Sequence, residues 1–268
     1  KAEMEAIQQQ MVEAKKSERT NALKGATTEG RSKKMAKRYA VTFDIDWAPD
    51  YAISHCLELL ENAECKATFF ATHSTPLNLE IIDRGHNLGI HPNFLPGSSQ
   101  GSDVKEIISE CLDYAPDAWC MRTHALVQST PLLHEIFSKF PQLKLDVSLF
   151  MHRSRFAHKV RWDFDGVSFD RLLYNWEDDA QFSGFIKDKM PDLFFGELTV
   201  FDFHPIHVFL NSTDGSEYRK LKMEQSLVSL SSLDAHVAEK YINHGLGTRS
   251  YLKGVLASKN RCIGLDEI

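Results

Sequence analysis

The run Tyr39-Ala-Val-Thr-Phe-Asp44-Ile-Asp46-Trp47 constrains this chain more than any other stretch. An unbroken β-branched and aromatic run reads as a strand buried on both faces, and such a strand belongs in a sheet covered by other elements. The run ends in two carboxylates spaced by one residue. Side chains two apart along a strand point the same way, so Asp44 and Asp46 are expected to share a face. Two anions there repel each other and lose hydration, which is unfavourable unless a cation or strong donors stand between them. Metal binding or acid–base chemistry gives a reason to keep the pair.

The rest of the chain alternates in the same way. Strands are predicted at 39–45, 66–72, 87–90, 118–123, 143–147 and 198–204, with weaker ones near 160–164 and 172–174. Helices are predicted at 50–62, 76–84, 103–114, 131–140 and 178–190, then, after a loop to about Gly215, at 216–243 and 248–259. Parallel strands need a crossover between them, so the pattern implies a parallel α/β fold. An open sheet and a closed barrel give the same alternation. The polar residues favour a barrel: Asp44 and Asp46, His73, His91, Arg122 with His124, and His204 with His207 all fall at or just past the C-terminal ends of different strands. In a β/α barrel those ends converge on one face.

With 268 residues, 43% hydrophobic and 25% charged, the chain has globular composition and can bury a substantial core. No apolar run approaches the roughly 18 residues of a membrane helix, and the first residues lack a signal-peptide apolar centre. Five scattered cysteines (Cys56, Cys65, Cys111, Cys120 and Cys262) without a C-x-x-C pair suit reduced thiols, so a cytoplasmic protein is expected. Residues 1–38 carry ten Lys/Arg against five Asp/Glu and read as a basic helical leader and linker ahead of an acidic body at 39–268. With no basic stripe elsewhere, nucleic-acid binding is not expected. Oligomeric state is not legible.

Taken together, the residues at the strand ends form a set of carboxylates and imidazoles suited to metal ligation and acid–base work. Across residues 39–260 they resemble the polysaccharide deacetylase family, also called NodB-homology or carbohydrate esterase family 4. Thr42-Phe43-Asp44-Ile45-Asp46 is similar to the family's Thr-Phe-Asp-Asp strand, with one residue inserted between the carboxylates. Ala67-Thr68-Phe69-Phe70 is similar to its second strand, and Gly85-His86-Asn87-Leu88-Gly89-Ile90-His91 echoes its Gly-His-Glu-Ile-Gly-Asn-His motif. Tyr174-Asn-Trp176-Glu177-Asp178-Asp179 resembles the segment with a pocket-lining Trp and acidic residues, and Phe203-His204-Pro205 the last strand with its acid His.

The resemblance implies a distorted (β/α) barrel with an N-terminal helical extension and a divalent metal, usually zinc. It implies hydrolysis of acetyl groups on a carbohydrate substrate. It assigns Asp44 as base, Arg122 as the group that orients it, His204 as acid, and Asp46 and His91 as metal ligands. The family's second ligand His, four residues after the first, is replaced by Leu95, and Asn93 between them is a poor zinc ligand. His73, His124 and His207 are contenders for the missing donor, with His124 in the place of a family Pro. Trp47, Asn93, Trp176, Glu177 and His207 are the substrate-side candidates, Trp47, Trp176 and Phe94 as stacking surfaces for sugar. Two alternatives stand beside this: a hydrolase of a non-sugar amide on the same scaffold, and a non-catalytic glycan- or partner-binding descendant.

Overall fold

The computed structural model describes residues 37–152, 154–155, 158–182, 194, 196–258 and 260–268. All but the last two residues of the expected leader lie outside that set. Strand β1 (Arg38–Asp44) starts one residue before the expected boundary. It is followed by α1 (Asp50–Glu61), β2 (Ala67–Ala71), α2 (Leu77–Asp83), β3 (Asn87–Ile90) and α3 (Val104–Tyr114). The Asp103 side chain caps α3 by accepting from the Glu106 N–H at 3.0 Å. Next come β4 (Cys120–Met121), a 3₁₀ turn (His124–Leu126), α4 (Thr130–Lys139) and β5 (Leu145–Phe150). A hairpin of β6 (Lys159–Phe164) and β7 (Val167–Tyr174) leads to β8 (Trp176–Glu177) and α5 (Asp178–Phe182). Then follow β9 (Leu198–Phe203), α6 (Pro205–Leu210), α7 (Ser216–Glu224), α8 (Ala235–Glu239), α9 (Thr248–Leu256) and β10 (Arg261–Cys262).

The strand order β6-β7-β5-β4-β3-β2-β1-β9-β8, with β10 on β1, is parallel except for the β6–β7 hairpin. What closes it is β7 running through Asn175 straight into β8. The first half pairs with β5 and the second with β9. At the joint the Asn175 N–H donates to Val200 O, and its side-chain Oδ1 accepts from Val200 N, both at 2.8 Å. The two edges of the sheet thus meet in one stretch of chain, giving a distorted barrel.

Period-2 alternation sorts the barrel's side chains. On β1, Tyr39, Val41 and Phe43 join the large core beneath the helices, where Phe43 stacks on Phe69 at 4.7 Å. Ala40 faces the other way, into a smaller cluster with Phe70, Val147, Leu172, Tyr174 and Val200, closed by Ile263 and Leu265. Thr42 and Asp44 share the register of Ala40, as Asp202 shares that of Val200 on β9. The inner column is apolar at one end and polar at the other, the polar end being where the strands finish.

Several expectations are corrected. The predicted loop after β9 contains α6, because Pro205 at the first helical position has a φ already suited to a helix and Asn211 ends it at φ 52°. The single helix expected over 216–243 is broken: α7 stops at Glu224, and α8 starts again where Asp234 caps it through the His236 N–H. Of the helix expected at 178–190 the described part is α5, and the remainder lies outside the described residues. The expectation of five reduced thiols is also corrected: Cys65 and Cys262 form a disulfide with Cα atoms 5.6 Å apart, while Cys56, Cys111 and Cys120 are free and buried. For that pair the thiol argument for a cytoplasm-like compartment loses its premise.

Gly89 on β3 has no room for a side chain. An added Cβ would meet Cys120 O at 2.7 Å and Phe70 Cδ1 at 2.8 Å. Gly89→Ala is expected to destabilise the fold by about 1–3 kcal/mol, the usual scale of overpacking, and denaturant unfolding monitored by circular dichroism checks it.

Candidate active site

The polar end of the barrel is organised around Arg122, which follows β4 and is fully buried. Its Nη1 donates to Asp44 Oδ1 at 2.9 Å and also to Asp202 Oδ1, Nη2 donates to Thr42 Oγ1 at 2.9 Å, and Nε donates to Val147 O at 3.2 Å. Its flat face lies 4.7 Å from the Phe70 ring centre and 4.2 Å from that of Tyr174. A guanidinium tolerates burial when its donors are used and its faces are stacked. Burial pushes the Asp202 carboxyl well above the usual carboxylate range, with the Arg122 charge opposing.

Asp46 reaches the site by a different route from the one expected. Strand β1 ends at Asp44, and Asp46 and Trp47 form the centre of a turn closed by Ala48 N–H to Ile45 O at 2.8 Å, with φ of 47° and 54°. Left-handed backbone at a Trp is strained. The turn, held also by Trp47 N–H to Thr72 Oγ1 at 2.8 Å, places Asp46 beside two imidazoles. Its Oδ1 is 3.2 Å from His91 Nε2 and 3.1 Å from His124 Nδ1, and those two nitrogens are 3.3 Å apart. These separations match the edge, about 3.3 Å, of a tetrahedron around an ion that takes imidazole nitrogens at about 2.0–2.1 Å. His91 Nδ1 is buried without a hydrogen-bond partner, 3.6 Å from Asp44 Oδ1. One carboxylate and two imidazoles therefore form a donor set that fits a divalent metal. Burial works against ionising Asp46, but the hydrogen bonds to His124 and His91 hold its carboxyl well below the usual range.

His204, at the end of β9, is buried and anchored by Asp178: Nδ1 is 2.6 Å from Asp178 Oδ1, and its own N–H donates to Asp178 Oδ2 at 3.0 Å. Nε2 faces the site, 3.6 Å from Asp46 Oδ2 and 3.9 Å from Asp179 Oδ2. Burial would lower the His204 pKa, but the charges of Asp179 and Asp178 outweigh it and raise the pKa well above the ordinary imidazole value. Asp179 Oδ1 accepts from His207 Nε2 at 2.9 Å.

Asp44, Asp46, His91, Arg122, His124 and His204 therefore come together, and the second imidazole beside Asp46 is that of His124. It is delivered by the 3₁₀ turn, in which Ala125 and Leu126 take φ of 52° and 54°. His73 does not join any metal-ligand group among the described residues: its Nδ1 is 3.1 Å from Thr72 Oγ1. His207 bonds Asp179 and Ser212 instead. Trp47 is half-buried with its ring edge-on to His124 at 5.4 Å. The stacking role expected of Trp176 is corrected: the ring is fully buried against Phe203 at 4.9 Å and Tyr251 at 6.2 Å, where no sugar reaches it. Phe94 is partly buried against the core. Asn93 is tied into its own loop, its Oδ1 accepting from the Leu95 N–H at 3.0 Å. Glu177 accepts from the Tyr174 hydroxyl at 2.8 Å, and burial pushes its carboxyl up to about 7, with the His204 charge opposing.

Sequence reasoning missed Asp202 and Gln100 and gave Asp178 and Asp179 no role. Asp202 was findable, because a carboxylate inside a buried strand two residues before His204 repeats the signal of Asp44. Gln100 carried none. Its buried amide donates to Thr72 O at 3.0 Å and His91 O at 3.3 Å and accepts from the Asn93 N–H at 2.6 Å, bracing the loop behind His91.

Comparison with known proteins shows what the chain is similar to. The profile of the WbmS-like polysaccharide deacetylases matches residues 41–222. The crystal structure of WbmS from Bordetella bronchiseptica, a polysaccharide deacetylase assigned to O-antigen biosynthesis, is 33% identical. The match covers 83% of this chain and 90% of that one, with a TM-score of 0.69. The catalytic domain of a peptidoglycan N-acetylglucosamine deacetylase from Eubacterium rectale is 16% identical, covering 68% and 82% of the two chains with a TM-score of 0.40. A family 4 carbohydrate esterase from Bacillus anthracis is 15% identical, covering 79% and 80% with a TM-score of 0.39. No curated protein matches the chain. On the extent of the profile match and the identity to WbmS, this chain belongs to the WbmS-like polysaccharide deacetylase family of hydrolases.

Proposed function

We propose that this chain is a metal-dependent hydrolase that removes acetyl groups from an acetylated sugar of a surface polysaccharide or its precursor. The observation that carries the proposal is the surrounding of Asp46. One of its oxygens is shared by His91 and His124, and the other lies 3.6 Å from the Nε2 of the buried His204. The 33% identity to a deacetylase assigned to O-antigen biosynthesis supports the choice of substrate.

A divalent ion held by Asp46, His91 and His124, zinc by family resemblance, would polarise an acyl carbonyl and acidify water at neutral pH. Asp44 is fixed by Arg122 and, as base, accepts the proton of the attacking water. His204 is aimed by Asp178, against burial the charges of Asp179 and Asp178 raise its pKa, and as acid it gives its Nε2 proton to the departing sugar nitrogen. The half-buried Trp47 at the rim offers an aromatic surface to a sugar ring.

Acetate release from N-acetylated oligosaccharides, measured with bound zinc, tests the division of roles. Asp44→Asn is expected to lower turnover by about 10²–10⁴-fold with metal content retained. His91→Ala and His124→Ala should both lose the metal, while His73→Ala keeps it. Metal loss from Asp44→Asn equal to that from His91→Ala would overturn the assignment. A pH dependence follows from the raised His204 pKa. The imidazolium is present below that pKa and lost as pH rises through it, so activity should fall on the alkaline side. Asp178→Asn removes a charge that raises the pKa, and its alkaline limb is expected at lower pH than that of the wild type. An unmoved limb in the kcat profile would exclude His204 as the acid.

A further inference from the structure

One carboxylate at the site, Asp179, adds its charge to the field around His204 but has so far been given no contact with substrate. Asp178 is buried, but the Asp179 side chain keeps 47% of its surface exposed. It is nevertheless oriented. Oδ1 accepts from Nε2 of the buried His207 at 2.9 Å, and the other nitrogen of that ring is 3.1 Å from Ser212 Oγ. The His207 ring is packed edge-on by Phe182 at 4.7 Å and Tyr218 at 4.8 Å. The second oxygen, Oδ2, is 3.9 Å from His204 Nε2. That distance is beyond hydrogen-bond reach, so the His204 proton is not consumed by Asp179. A leaving group that approaches the His204 proton arrives beside an oriented carboxylate.

A sugar nitrogen and a sugar oxygen differ at that point. An amide nitrogen carries a hydrogen that a carboxylate accepts, and after cleavage it becomes an ammonium that a carboxylate attracts. An ester oxygen carries no hydrogen and turns only lone pairs toward the same anion. We propose that Asp179, braced by His207, selects N-acyl over O-acyl sugars at this site and holds the amino product. This rests on the reading that His204 protonates the leaving group. In the step itself the water oxygen bonds to the acyl carbon and its proton passes to Asp44. The C–N bond breaks with its electron pair on nitrogen, and the nitrogen takes the His204 proton. The amine then gains a second proton from solvent, the released acetic acid loses its proton to solvent, and the proton held by Asp44 returns by way of solvent to His204. A fully buried polar group that recognises an N–H discriminates by about 10⁴–10⁵-fold. Asp179 is half-exposed and its charge partly screened, so about 10–100-fold is expected.

The test compares kcat/KM for acetate release from tetra-N-acetyl chitotetraose and from 2-O-acetylated cellotetraose, in wild type, Asp179→Asn and Asp179→Ala. Calorimetric binding of chitosan tetramer against cellotetraose runs alongside. Both variants are expected to lose about tenfold or more on the amide and less than about threefold on the ester, and to lose the wild type's preference for the amino tetramer in binding. Equal losses on both substrates, an unchanged amide-to-ester ratio, or an amino preference that is absent in the wild type or survives in Asp179→Asn would overturn the proposal. Wild-type protein that releases acetate from neither substrate counts against the hydrolase reading, and calorimetry then still decides the role of Asp179.

Discussion

The site depends on a guanidinium held inside the barrel. Arg122 is buried where several strands finish, and it bonds residues of β1, β5 and β9 together: Thr42 and Asp44, Val147, and Asp202. Breaking a buried pair of this kind by removing one partner commonly costs about 3–5 kcal/mol, because the remaining charge is left without a counterpart. Two carboxylates share the one cation. Burial pushes the Asp202 carboxyl up, with the Arg122 charge opposing. The same contact that fastens the strands thereby orients the residue assigned as base.

Around that centre the reactive groups are presented by irregular backbone. Asp46 and Trp47 sit in a left-handed turn just past β1, and His124 opens a 3₁₀ turn whose next two residues are also left-handed. Such conformations persist only where the surroundings over-determine them. Here the Trp47 N–H is held by Thr72, and the backbone behind Thr72 and His91 is braced by Gln100. The barrel supplies rigidity, while the turns supply directions that no strand or helix offers.

Much of the fold was legible because burial on both faces of a strand leaves a hydrophobic signature, as in Tyr39–Phe43, Ala67–Ala71 and Leu198–Phe203. The closure by β7 and β8 was not, since Asn175, which completes the ladder with its side-chain amide as well as its backbone N–H, reads in sequence as a loop residue. Helix α6 was hidden by its shortness, and the break between α7 and α8 by residues compatible with either state. In the site, the gathering of these side chains on one face followed from strand-end positions, while the pairing of Asp44 with Arg122 and of Asp46 with His91 was implied by the family resemblance. Trp176 misled because an aromatic residue beside carboxylates looks the same whether it lines a pocket or fills a core.

The sequence by itself determined a parallel α/β chain whose carboxylates, imidazoles and arginine gather at the strands' C-terminal ends, because the side-chain period and the direction of a parallel strand are local properties. Only the tertiary structure decided which imidazole completes the donor set around Asp46. His73, His124 and His207 occupy equivalent places in the linear pattern. The choice among them depends on backbone turns, with φ fixed by Thr72 and the 3₁₀ segment, and on competing partners such as Thr72 for His73 and Asp179 for His207. Apart from the neighbouring Thr72 and His73, those are distances between residues far apart in the chain, such as Asp46 to His124 and Asp179 to His207, and they exist only once the barrel has closed.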